Sequence, residues 1–157
     1  MAANPHVTPI KLALRYLGRT CSVFGEQDSG YAPVPGQFTV AQHVAHVAQT
    51  IDWFVEGAFR PEGFDTDFAL HQAKVRDVHS LAEAMAWLAR SVDDAAAVIE
   101  SRTPQEMAAP IAPGPVMGGL PRSSISGGIA EHTAHHRGAL AVYARLLGYA
   151  PPMPYAD

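Results

Sequence analysis

One cysteine, Cys21, is the only thiol in this 157-residue chain. An internal disulfide is therefore excluded, and a reducing, cytoplasmic setting is expected. A lone cysteine is usually a small buried hydrophobe, and Cys21 is read that way. Long apolar runs are also missing: nothing approaches the roughly 18 consecutive apolar residues of a membrane span, so no membrane partner is expected. The opening Met1-Ala2-Ala3-Asn4-Pro5 has no basic segment leading into an apolar one, and no secretory signal is expected. Excess positive charge is absent. The 11 Lys and Arg against 15 Asp and Glu leave a net charge of -4 with no basic cluster, so a nucleic-acid partner is not expected. No segment alternates apolar and polar residues as a half-buried strand does.

What remains is helical punctuation and helical spacing. Hydrophobic residues make up 48% of the chain and charged ones 17%, the composition of one soluble domain spanning residues 1–157. Thr8 followed by Pro9 marks the start of a first helix, as N-cap and first-turn proline, with Ile10, Ala13, Leu14 and Leu17 along it to about Ser22. A Gly- and Pro-rich loop follows. Thr39 and Gln42 form a capping box for a second helix, whose apolar face runs Val40, Val44, Val47, Ile51, Phe54 and Ala58 to a stop near Arg60-Pro61. A short helix is expected around Phe68 to Val75. Ser80 and Glu83 form a second capping box, and Leu81, Met85, Leu88, Val92, Ala95 and Ile99 then repeat as a bundle seam. Thr103-Pro104-Gln105-Glu106 reads as one more capped turn, leading into an ordered surface loop that ends at Pro121. The last long helix begins among Ser123, Ser124 and Ser126 and stops at Gly148. These elements predict an all-α four-helix bundle with long connections.

Chemistry concentrates in Glu131-His132-Thr133-Ala134-His135-His136-Arg137-Gly138. His132 and His136 are four residues apart, so their rings leave one helical face a turn apart, the spacing with which a helix holds a transition-metal ion. Ile125, Ile129, His132, His136, Leu140 and Tyr143 form one stripe that must face inward, and two inward imidazoles need partners. His135 falls on the flank. Glu131 is either a carboxylate orienting His135 or a surface acid; Arg137 either meets an anionic ligand or lies at the surface. A third ligand would come from the second helix. Helical phase favours His43, which sits nearer the apolar face, although a staple against Phe38 would also explain it. His46 lies on the flank, and a bundle helix touches two neighbours, so a flank position can also face the last helix. Isolated His6, His71 and His79 are expected to be solvated or satisfied by loops. Asp52 and Glu56 are expected on the surface.

Phe38-Thr39-Val40-Ala41-Gln42-His43-Val44-Ala45-His46-Val47-Ala48 resembles the second-helix motif of the DinB/YfiT-like four-helix bundle family. Glu131 to Leu140, followed by Tyr143-Ala144-Arg145-Leu146-Leu147-Gly148 and Pro151-Pro152, is similar to that family's C-terminal signature, and the resemblance covers nearly the whole chain. It implies a divalent metal, zinc or nickel, on three histidines: His46, His132 and His136. Here it overrides helical phase, leaving His43 as the runner-up. The chain departs from the family pattern at Ala139, where glutamine is frequent.

Three neutral imidazoles leave the ion's charge uncancelled and a coordination position open. Water made acidic by such an ion attacks an ester or amide, whereas a thiol deprotonated by it becomes a nucleophile. Family members include thiol S-transferases using bacillithiol- or mycothiol-type cosubstrates and a thiol-dependent maleylpyruvate isomerase. The resemblance thus implies a metal-dependent enzyme acting on a small-molecule substrate, a hydrolase or a thiol transferase with a low-molecular-weight thiol cosubstrate. It also implies a homodimer. The competing expectation is a stress-response protein that binds a metal or small ligand without catalysis.

Overall fold

Thr39 starts the helix at the centre of the structure. Its Oγ1 accepts from the Gln42 amide at 3.2 Å while Gln42 Oε1 accepts from the Thr39 amide at 3.1 Å, the full reciprocal box. The computed structural model describes residues 4–156, so Met1–Ala3, part of the segment read for a leader, lie outside the described residues. Among the described residues six α-helices occur: α1 (Thr8–Cys21), α2 (Val40–Phe59), α3 (Phe68–Arg76), α4 (Leu81–Glu100), α5 (Pro104–Ala108) and α6 (Ile125–Leu146). The four long ones, α1, α2, α4 and α6, form the bundle. The two short ones stand at the expected short helix and capped turn.

Boundaries depart from expectation in two places. Val7 rather than Thr8 is the N-cap of α1, because Asn4 O already accepts from the Thr8 amide at 3.0 Å and draws Thr8 into the helix. At α4, Ser80 Oγ accepts from the Glu83 amide at 3.1 Å, but Glu83 does not close the box. Two other first-turn amides of α4 are taken by a distant turn instead: Leu81 N donates to Ser29 Oγ and Ala82 N to Glu26 Oε2, both at 2.9 Å. This satisfies the orphan donors of the helix start and ties it to the turn after α1. The end of α6 is as expected. Gly148 adopts φ 84°, Tyr149 N donates to Ala144 O and Gly148 N to Arg145 O, the two bonds of a Schellman stop.

Helix α2 packs against both α4 and α6, and α1 packs against α6. That central position explains why Ala41, Val44, Ala45, Val47, Ala48 and Ile51 are all buried, too wide a stripe for a helix with one neighbour. The seam of α4 lies as its spacing predicts, with Leu88, Val92, Ala95 and Ile99 buried and Met85 partly so. Leu17, Leu88 and Leu140 are at most 1% exposed, each stabilising the fold by roughly 1.5–3 kcal/mol relative to exposure. The loop before α6 is ordered by Ile111, which exchanges backbone bonds with Gly119 and Leu120 and buries its side chain. Cys21 is buried, and burial pushes its thiol up to about 12, consistent with a packing role. No helix among the described residues is long and apolar enough to cross a membrane.

Candidate metal centre

His46 projects from α2 and His132 and His136 from α6, and one ring nitrogen of each lies within 4.8 Å of the others. Ring centroids stand 5.0 Å apart for His46–His132, 4.8 Å for His46–His136 and 4.5 Å for His132–His136. The flank position on α2 reaches α6 because α2 sits between two partners. A tetrahedral ion about 2.0–2.1 Å from each nitrogen would hold them roughly 3.3 Å apart, within reach of small ring rotations.

His43 lies on the other side of His136. Its Nδ1 is 2.9 Å from His136 Nδ1, its ring is edge-on to Tyr143 at 5.0 Å, and Phe38 packs against it at 5.7 Å. With Nδ1 of His136 engaged there, Nε2 is the nitrogen left for an ion. Phase was right that His43 points inward; the partner it finds is a histidine.

The protonation states fit a divalent cation. Burial, and then the charges of neighbouring histidines, lower all four rings: His43 and His132 to about 4, His136 to about 2, and His46 in the same direction. Neutral imidazoles present lone pairs, which is the state a metal requires. The donor set, its neutrality and the bond from His43 to a ligand ring together suit a borderline metal ion.

The cluster opens onto a cavity of about 450 Å³ whose wall includes His46 and His132. Phe38, Trp53, Phe54 and Phe68 give it an aromatic lining, and Gln49 and Thr50 are buried side chains there that make no hydrogen bond among the described residues. A second hollow of about 600 Å³ adjoins it, sharing Phe38 and Gln72 and adding His43, Arg76, Ala139 and Tyr143. The Tyr143 hydroxyl lies 3.0 Å from Phe38 O and 3.1 Å from Gln37 Oε1, and the Arg76 guanidinium covers the Phe38 ring at 4.4 Å. Phe38 is thereby held from both sides as the partition between the hollows.

The His135 ring lies edge-on to that of His136 at 4.9 Å, at the solvent side of the cluster. His135 and Glu131 are exposed. Arg137 donates to the Tyr155 hydroxyl at 3.0 Å, tying down the C-terminal segment away from the histidines. Asp52 is exposed, as expected, and accepts from Trp87 Nε1 at 2.8 Å. His71 sits on α3, inside the expected short helix, with its Nε2 3.4 Å from Asp65 Oδ2 of the preceding loop; its side chain, 15% exposed, also lines the cavity wall. A single histidine on a short helix carries no spacing signal, so its place in the cavity wall follows only from the fold.

A helical bundle with an inward three-histidine cluster beside an aromatic cavity defines the class: an all-α protein with a candidate metal centre. Residues 13–140 match the model of the DinB superfamily, and the chain belongs to that family. Comparison with curated proteins gives no match. Among solved structures it resembles YfiT from Bacillus subtilis, described as a probable metal-dependent hydrolase with an unusual four-helix bundle topology. The TM-score is 0.69 at 15% identity, over 96% of this chain and 91% of that one. That likeness establishes the fold.

Proposed function

We propose that this protein is a divalent-metal-dependent hydrolase acting on a small molecule with an apolar or aromatic body, with zinc or nickel held by His46, His132 and His136. The observation that carries the reading is that the cluster opens onto a cavity. His46 and His132 line its wall, and His43, the other histidine of α2, faces His136 instead. A centre closed by four protein ligands would be structural. When bound, the ion supplies Lewis-acid stabilisation of an anion and lowers the pKa of a water or thiol.

The chain's own residues do the rest. His43 orients His136. Phe38, Trp53, Phe54 and Phe68 exclude water around the apolar part of a ligand, strengthening polar contacts made inside. Gln49 and Thr50 offer unpaired amide and hydroxyl groups for its polar part. YfiT's description as a probable metal-dependent hydrolase points the same way.

Thiol transfer is a second reading, favoured by the adjoining hollow beside Arg76, which gives room for a cosubstrate next to the first cavity. Buried Cys21 is no candidate for that thiol, so it would come from outside. The test is a parallel assay of zinc- and nickel-loaded protein. One arm measures hydrolysis of 4-nitrophenyl esters; the other measures addition of low-molecular-weight thiols to an electrophilic arene. Ester turnover that disappears in His132→Ala supports the hydrolase, and turnover only with added thiol supports the transferase. Equal ester turnover by the protein and by His132→Ala contradicts the metal-dependent hydrolase.

A further inference from the structure

His71 stands in the same cavity wall as His46 and His132 but belongs to a separate assembly. Its Nε2 is buried without a hydrogen-bond partner, 3.4 Å from Asp65 Oδ2 and out of line for a hydrogen bond. Nδ1 makes no hydrogen bond either and, unlike Nε2, is not sealed from solvent.

The surroundings of Asp65 are built to hold this pairing. Trp53 Nε1 of α2 donates to Asp65 O at 2.7 Å, fixing the backbone. Asp65 Oδ1 accepts from the Asp67 amide at 2.9 Å, which leaves Oδ2 for His71. Asp67 in turn caps α3, accepting from the Leu70 amide at 3.0 Å, and so places His71 one turn into that helix. Gly57 of α2 allows the Phe64 ring to lie against the helix backbone where any Cβ would collide with it, setting the path of the chain into Asp65. The Asp67 amide, and after it the nearby His71, hold the Asp65 carboxyl below its usual range, so it is an anion at neutral pH.

A carboxylate at one imidazole nitrogen and an accessible second nitrogen is the arrangement by which a histidine takes up a proton. We propose that Asp65 and His71 form the acid–base pair of this cavity, His71 accepting the proton of a weakly acidic O–H or S–H group bound beside the three-histidine cluster. The proton leaves oxygen or sulfur and bonds to Nδ1, the electron pair remains on the oxygen or sulfur, and the imidazolium is offset by the Asp65 carboxylate. The Asp65 charge 3.4 Å from Nε2 favours the tautomer with hydrogen on that nitrogen, which keeps Nδ1 free to accept. The inference rests on the enzymatic reading above for its reaction, although not for the tautomer.

The experiment uses zinc-loaded protein and two readouts. In long-range nitrogen–carbon NMR spectra His71 should appear as the Nε2–H tautomer, and Asp65→Asn should shift it toward a mixture. In the ester and thiol-addition assays His71→Gln should keep its zinc and lose about 100-fold or more in rate. Free imidazole should restore part of the rate to His71→Ala. An Nδ1–H tautomer in the unaltered protein overturns the proposal. So does an unchanged rate in His71→Gln at full zinc content, or zinc loss on His71→Gln, which would make the ring a ligand. If the unaltered protein turns over neither probe, the enzymatic reading fails, and the tautomer measurement still decides the pair.

Discussion

His43 Nδ1 faces His136 Nδ1 at 2.9 Å, so the two rings share one proton between them. A neutral imidazole that binds an ion through Nε2 carries its hydrogen on Nδ1. His136 is then the donor and His43 the acceptor, with the His43 proton on its own Nε2. This relation orients a ligand ring and raises its basicity. His43→Ala should still bind one metal per chain but with roughly 10–100-fold weaker affinity, as measured by competition with a chromogenic chelator. His43→Gln, whose amide oxygen also accepts, should recover part of the loss. Unchanged affinity in His43→Ala would remove the orienting role.

The lowered histidines predict how the metal-free protein responds to acid. Histidines in the unfolded chain titrate near pH 6.5. In the folded chain burial holds His43 and His132 at about 4 and His136 at about 2. Below about pH 6.5 the unfolded state therefore binds protons that the folded state refuses, and folding loses free energy as the pH falls toward 4. Urea midpoints of chelator-treated protein should be level above about pH 7 and drop steadily between about pH 6.5 and 5, before most carboxylates titrate. His132→Gln should flatten part of that slope. A midpoint independent of pH across this interval would contradict the buried neutral cluster.

Cys21 should be inert. Its thiol is buried and pushed up to about 12 by desolvation, so little thiolate exists at neutral pH. A disulfide reagent should modify it only as fast as the protein unfolds. Cys21→Ala should keep metal content and turnover, and a loss of turnover with intact metal would place the thiol in the reaction.

Tyr143→Phe tests the partition between the two hollows. Its hydroxyl proton lies between two acceptors, Phe38 O at 3.0 Å and Gln37 Oε1 at 3.1 Å. Removal should lower stability by about 1 kcal/mol in denaturant titration. It should also raise KM, because Phe38 borders the cavity and packs its ring against that of His46, with centroids 5.1 Å apart. A kcat effect alone would point to a different role for the hydroxyl.

Local signals carried most of the fold. The Thr39–Gln42 and Thr103–Glu106 boxes close as their residue types require, and Gly148 stops α6 with the positive φ that glycine tolerates. The Ser80–Glu83 box fails because α4 starts beside Glu26 and Ser29, whose oxygens satisfy its amides from a distance. Within the site, spacing alone paired His132 with His136. The choice between His43 and His46 depends on the angle at which α2 meets α6, which periodicity does not encode. His71 and Asp65 meet through the cap of α3 and the Trp53 bond to the backbone, a tertiary arrangement with no sequence pattern of its own.

His46, His132 and His136 are proposed to hold one divalent ion together. The most direct measurement is elemental analysis of protein purified without chelator and reloaded with zinc, beside His46→Ala, His132→Ala and His136→Ala, each checked for helical content. The unaltered protein should hold one zinc per chain, and each folded variant should lose tight binding. Absence of stoichiometric metal from the unaltered protein, or full retention in folded His132→Ala, would contradict the three-histidine site.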